Sequence, residues 1–209
     1  MSRLSAKTLR RCVHLFAPLP LLWLAGQWVA IVLLGHAPRE MGMTSDPVAY
    51  SINYLGLWTF RLLLLTLAIT PLRRLTGRAE WMATRRPLGL WAFAYAGIHL
   101  FVYFGLNLLF SVPDMLEDVA RHPFVLFGMG GLLLLLPLAF TSTQRSMKRL
   151  GKNWRRLHWL VYPAALLVAT HFIYRVKGFQ IEPWIYAGLV VLLLAVRLIP
   201  PQRLRAGKA

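Results

Sequence analysis

The chain has 209 residues, of which 57% are hydrophobic and only 15% charged, with a formal net charge of +17. A soluble domain carries about 25% charged residues; a chain this apolar, with a mean hydropathy of +0.54, cannot cover a water-facing surface, and lipid must be the solvent for most of it. The single cysteine, Cys12, excludes an intrachain disulfide and a thiolate metal cluster. Crossing the hydrocarbon core takes about 20 apolar residues as a helix. Six segments are predicted to do so: 13–34, 50–70, 88–110, 123–140, 157–174 and 181–199. The first follows Arg3, Lys7, Arg10 and Arg11, as a signal peptide would. Its apolar run exceeds the signal range of about 7–15 residues, so it reads as an uncleaved span. The second span carries Arg61 and the third His99. The fourth carries Gly128, Gly130 and Gly131, small residues of the kind that let helices pack closely. The fifth opens at His158 and holds His171, and the sixth carries Arg197. Period-2 alternation is absent, which argues against a β-barrel. With no evident internal repeat, low-complexity tract or soluble segment, residues 1–209 read as one domain: an all-α membrane protein, a six-transmembrane-helix bundle.

Lys and Arg stay on the cytoplasmic side of a membrane. With the N-terminus inside, the inner segments hold the four N-terminal basic residues, then Arg73, Arg74, Arg78, Arg85 and Arg86 in the second-to-third loop. Arg145, Lys148, Arg149, Lys152, Arg155 and Arg156 follow in the fourth-to-fifth loop, and Arg203, Arg205 and Lys208 in the tail. The outer side holds Arg39, Arg121, Arg175 and Lys177, and Glu80 is the one acidic residue inside. Both termini are therefore expected in the cytoplasm. The same distribution removes nucleic acid as a partner, because the charge forms an inner belt facing anionic lipid headgroups.

Ionisable residues at depth are costly and mark function. His99 lies about eleven residues into its span, roughly 17 Å from the inner end, and His171 about fourteen residues in, roughly 21 Å. Both helices run outward, so the two imidazoles share a level. Neutral imidazole is an axial ligand for haem iron, and Trp91, Phe93, Tyr95, Phe101, Tyr103, Phe172 and Tyr174 supply flat surroundings. The alternative is that each histidine only hydrogen-bonds a neighbouring helix. His158 lies roughly 20 Å below His171 along a straight helix, about 140° away around it. It suits a second haem layer if Pro163 kinks the helix, with His14 at the depth of a partner; either histidine can equally be interfacial. Arg61 is either the partner of a haem propionate or a snorkelling side chain. His36 and His122 sit in outer loops with no assigned role. No nucleotide-binding glycine motif and no paired carboxylates occur, which excludes phosphate-loop and hydrolytic chemistry.

Two stretches carry a resemblance. One runs Thr84-Arg-Arg-Pro-Leu-Gly-Leu-Trp-Ala-Phe-Ala-Tyr-Ala-Gly-Ile-His99-Leu; the other runs Leu138-Ala-Phe-Thr-Ser-Thr-Gln144, then Leu150-Gly-Lys-Asn-Trp-Arg-Arg-Leu-His158-Trp-Leu-Val-Tyr162, with His171 beyond. They resemble the MsrQ (formerly YedZ) family, haem-binding membrane subunits of bacterial protein-methionine-sulfoxide reductase systems, within the ferric-reductase-like transmembrane proteins. The resemblance covers nearly the whole chain. It implies haem b, one or two groups, on His99, His158 and His171, and a bacterial inner-membrane location. It implies a periplasmic molybdenum-cofactor partner, MsrP, that reduces methionine sulfoxide in envelope proteins. The donor would be the quinone pool or a cytoplasmic flavin reductase, and FMN is implied by the resemblance alone. NADPH oxidases of the same superfamily place two histidines on each of two helices, whereas the third span here has only His99. The chain ends within about ten residues of the last span, leaving no room for a flavin and nicotinamide domain. The expected role is a non-catalytic electron-transfer subunit, with a stand-alone ferric or small-molecule reductase and a haem-free scaffold or transporter as alternatives. Asp114, Glu117 and Asp118 in the outer loops are a candidate docking face.

Overall fold

A computed structural model describes residues 5–176 and 178–198; Arg3, Lys177, Ile199, Arg203, Arg205 and Lys208 of the topology assignment lie outside them. The described residues contain helices and no strand. Five helical stretches are long and apolar enough to cross a membrane: Ala6–Leu34, Pro47–Thr76, Ala79–Asn107, Pro123–Phe140 and Lys152–Arg175. The expected sixth span coincides with a further helix, Ile181–Leu198.

The first stretch is two helices, not one. The first, α1 (Ala6–Phe16), is capped by the Ser5 hydroxyl, which accepts from the Thr8 N–H. The second, α2 (Leu19–Leu34), ends on Gly35 in the left-handed region, φ 73°. Pro18 and Pro20 cause the break, since a proline removes one amide donor and its ring crowds the carbonyl four residues back. Tyr95, fully buried, fills the break: its hydroxyl donates to the Ala17 carbonyl (2.6 Å) and accepts from the Leu21 N–H (3.2 Å). Those two backbone groups would otherwise bond each other in an uninterrupted helix.

The longest helix, α3 (Pro47–Thr76), has Asp46 as its cap and ends at Gly77, φ 69°. At 30 residues it is about 45 Å long, more than the hydrocarbon needs. This explains why it overruns the expected 50–70 at both ends. A 3-10 turn (Ala79–Trp81) leads into α4 (Met82–Phe101), which continues as a π-helical turn, Val102–Asn107. The next loop contains a short helix unforeseen from hydropathy, α5 (Val112–Arg121), capped by Ser111. It is followed by α6 (Pro123–Phe140). The loop after α6 folds as α7 (Gln144–Leu150) and α8 (Lys152–Leu157). A 3-10 turn, His158–Leu160, precedes α9 (Val161–Arg175), and α10 is Ile181–Leu198. Pro163 therefore sits in the first turn of α9, where a missing amide is tolerated, and the irregularity falls just before it.

The tightest packing is pairwise: α3 lies along α4, and α6 along α9, with α10 bridging α9 and α3 and α1 lying against α4. Leu55, Phe60, Leu63, Leu67, Ala92, Tyr95, Ala164, Ala165 and Val190 form the centre, while Leu22, Trp23, Leu33, Leu133 and Leu192 are exposed on the outside. An apolar exterior around an apolar core is what a helix bundle in lipid requires. Gly130 and Gly131 serve the close packing expected of them, facing Leu167 and Val168 on α9.

Candidate functional site

His99 and His171 meet. They come from α4 and α9, and their ring centroids lie 6.3 Å apart with the planes at 86°. Each ring is held from behind by a backbone carbonyl of the neighbouring helix. His99 Nδ1 donates to the Ile52 carbonyl (2.9 Å), and His171 Nδ1 donates to the Phe124 carbonyl (2.6 Å). A carbonyl only accepts, so Nδ1 carries the proton in both rings and Nε2 keeps its lone pair. A Cβ added to Gly56 would stand 3.2 Å from His99 Cε1, and one added to Gly128 only 2.7 Å from His171 Nδ1. Gly128 is thus there to admit an imidazole, not simply to bring two helices together.

The two arrangements are copies. Donor and acceptor are 47 residues apart in both hydrogen bonds. One shift of register carries Ile52, Gly56 and His99 onto Phe124, Gly128 and His171. The repeat was present in the sequence as two glycines at a common distance before two histidines, and it is a correction to the expectation of no internal repeat. It joins α3 with α4 and α6 with α9, so each helix pair presents one imidazole to a shared cavity. Ile52, Gly56, Phe60, Ala96, Leu132, Leu135 and Phe172 supply apolar walls around the histidines, with Asn53, Tyr103 and Arg175 also lining it.

The fit to a metal-centred macrocycle can be tested on the ring separation. Two metal–imidazole bonds of about 2 Å each, with the two ring radii added, place the centroids roughly 6 Å apart. The 6.3 Å observed is of that size, so His99 and His171 would be spaced to hold the iron of such a group between their rings. No group of three or more His, Cys, Asp or Glu able to hold a bare metal ion occurs among the described residues. The donor set is two imidazoles, the one that suits haem iron.

The other expected site residues lie elsewhere. His158, on the 3-10 turn before α9, donates from Nδ1 to the Trp154 carbonyl (3.0 Å) and stacks on the Trp154 ring at 3.8 Å. It does not line the His99–His171 cavity. His14 accepts from the Trp91 indole N–H (3.2 Å). Arg61 donates from Nε to the Tyr186 hydroxyl (2.8 Å) and lies over the Trp58 ring, away from the cavity. The cavity's guanidinium is that of Arg175, one turn beyond His171, which donates to the Asn53 side-chain carbonyl. Of the outer acidic residues, Glu117 pairs with Arg121, and Asp118 accepts from Tyr103 (2.6 Å) and pairs with His122.

Residues 55–169 match the family described as Ferric reductase like transmembrane component. A relative from Xanthomonas axonopodis pv. citri is 44% identical over 94% of this chain and 87% of its own length. Relatives from Xanthomonas campestris pv. campestris and Brucella anthropi are 50% and 46% identical over 73% and 75% of this chain, and 70% and 71% of theirs. All three are named protein-methionine-sulfoxide reductase heme-binding subunit MsrQ. No solved structure matches the chain. With the matched segment running from α3 into α9, across both helix pairs that hold the histidines, the chain belongs to the ferric-reductase-like transmembrane family and to its MsrQ branch.

Proposed function

We propose that this chain is a haem b electron-transfer subunit of the bacterial inner membrane, with haem iron bound between His99 and His171. The observation that carries the proposal is the pair of imidazoles lining one cavity, their centroids 6.3 Å apart and each fixed at Nδ1 by a backbone carbonyl. When bound, the haem supplies a one-electron carrier. The chain's own residues supply the rest. The Ile52 and Phe124 carbonyls fix tautomer and ring orientation and raise ligand basicity. His99 and His171 would both hold the iron, leaving it little affinity for oxygen, and the apolar walls lower the local dielectric. His158 carries the same kind of Nδ1–carbonyl bond, which supports it as a ligand of a second haem nearer the cytoplasmic face.

In this proposal six spans with both termini in the cytoplasm form a single domain over residues 1–209. Electrons enter from the quinone pool or a cytoplasmic flavin reductase and leave to a periplasmic molybdenum-cofactor reductase of the MsrP kind. That partner repairs methionine sulfoxide, following the names borne by the relatives. FMN is retained as a second cofactor on family grounds only.

The test is the optical spectrum of detergent-purified protein, oxidised and dithionite-reduced, with haem quantified per chain, for wild type, His99→Ala and His171→Ala. The expected result is a sharp b-type reduced spectrum that both substitutions abolish. The near-perpendicular rings further call for a strongly axial, not rhombic, low-spin ferric resonance signal. A colourless wild type, or a spectrum indifferent to both substitutions, overturns the proposal.

A further inference from the structure

Beyond the two histidines, the cavity between His99 and His171 has its charged side chain at one end only. Its apolar end is closed by Phe60, Ala96, Leu132 and Leu135, and its mouth is formed by Asn53, Tyr103 and Arg175. The register shift that relates the two histidines also carries Tyr103 onto Arg175, so each wall bears one polar side chain a single helical turn beyond its imidazole. The two differ in what they have left to give. The Tyr103 hydroxyl spends its proton on Asp118 (2.6 Å). Arg175 lies against the Phe172 ring, 5.4 Å from its centroid, and donates to Asn53. A guanidinium has five N–H donors in a planar fork. Among the described residues no carboxylate pairs with Arg175, and Glu182 acts on it only from beyond ion-pair distance. A cation held at the edge of the hydrocarbon with unspent donors calls for an anionic acceptor, and a carboxylate matches the fork in two parallel hydrogen bonds.

We propose that Arg175, positioned by Asn53 and Phe172, is the carboxylate-binding residue of this cavity and takes a propionate of the haem. The inference rests on the haem proposal above and adds an orientation to it. The acid edge of the macrocycle faces the mouth between α3 and α9, and its apolar edge faces Phe60 and Leu135. Asn53 follows Ile52, whose carbonyl holds His99, so the Arg175–Asn53 bond also ties the anion anchor of one helix pair to the ligand holder of the other. Arg61, committed to Tyr186 and Trp58, takes no part.

The test compares haem b with its dimethyl ester, which lacks both carboxylates. Each is titrated optically into apo-protein in detergent, using wild type, Arg175→Gln, Arg175→Lys and Arg61→Gln. Wild type is expected to prefer the free acid by roughly ten- to hundredfold, the scale of one charge-assisted pair. Arg175→Gln should erase that preference while still giving a b-type spectrum, Arg175→Lys should keep part of it, and Arg61→Gln should keep it whole. The midpoint potential should also fall in Arg175→Gln, because a lost cation favours ferric over ferrous iron. Equal binding of acid and ester by wild type overturns the proposal, as does a full preference in Arg175→Gln. A preference lost in Arg61→Gln but kept in Arg175→Gln overturns it in favour of Arg61. Sensitivity of wild type but not Arg175→Gln to added anionic lipid, with no sensitivity to esterification, overturns it in favour of a lipid phosphate. A wild type that binds neither compound sinks the haem proposal itself, a result distinct from all of these.

Discussion

At the scale of single residues, the site turns on two glycines that carry no chemistry. The space behind His171 is the tighter: a methyl on Gly128 would fall 2.7 Å from its ring, inside any real contact, whereas one on Gly56 would stand 3.2 Å from His99. His171 cannot swing aside without giving up its bond to Phe124. Gly128→Ala is therefore expected to lose most of its haem, and Gly56→Ala to retain more, when haem per chain is measured in membranes of equal protein content. Equal retention in both would show that the rings have slack the hydrogen bonds do not imply. That His99 and His171 line one cavity was legible in the sequence because an ionisable side chain at depth stands out against apolar neighbours. Gly56 was not, since a glycine has no side chain whose chemistry advertises a role. Arg61 drew notice by its depth, yet depth says nothing about the direction in which a side chain leaves its helix, and that direction takes it to Tyr186. Arg175 escaped notice because it lies at a span's outer end, where an arginine is expected to reach water.

At the scale of elements, hydropathy located five stretches long and apolar enough to cross a membrane, and a helix where the sixth was expected, but missed what happens between them. The helices α5, α7 and α8 are short and polar or amphipathic, so a window tuned to apolar length passes over them. The split of the first stretch at Pro18 was likewise invisible to an apolar count, although the prolines stood in plain view. The Tyr95 hydroxyl closes that split, and in lipid the Ala17 carbonyl and Leu21 amide have no water to turn to. Tyr95→Phe should destabilise the detergent-solubilised protein by about 1–3 kcal/mol, the cost of stranding buried polar groups. The measurement is a thermal melt against wild type, and an unchanged melting temperature would mean that α1 and α2 rejoin without the hydroxyl. The π-helical turn at Val102–Asn107 lies immediately beyond His99 and places Tyr103 at the cavity mouth. Such turns recur at functional sites because they rotate a helix face without ending the helix.

At the scale of the whole molecule, the basic residues of the inner loops and the five long apolar stretches favour a bundle with its N-terminus in the cytoplasm. Completing that bundle with α10 as a sixth span returns the C-terminus to the same side. Fluorescent-protein and alkaline-phosphatase fusions at the two termini test this. Both ends should give fluorescence and no phosphatase activity, and a phosphatase-active C-terminus would leave an odd number of crossings.

The pairing of α3 with α4, and of α6 with α9, has a consequence for how the protein is made. Each hairpin-like pair contains one imidazole together with the carbonyl and the glycine that seat it, so neither needs the other to prepare its half. As the chain leaves the ribosome and enters the bilayer, the first pair can complete its seat before the second has been synthesised. Under the proposed clamp, the prosthetic group would be the last component to arrive, riveting together two halves already finished on their own.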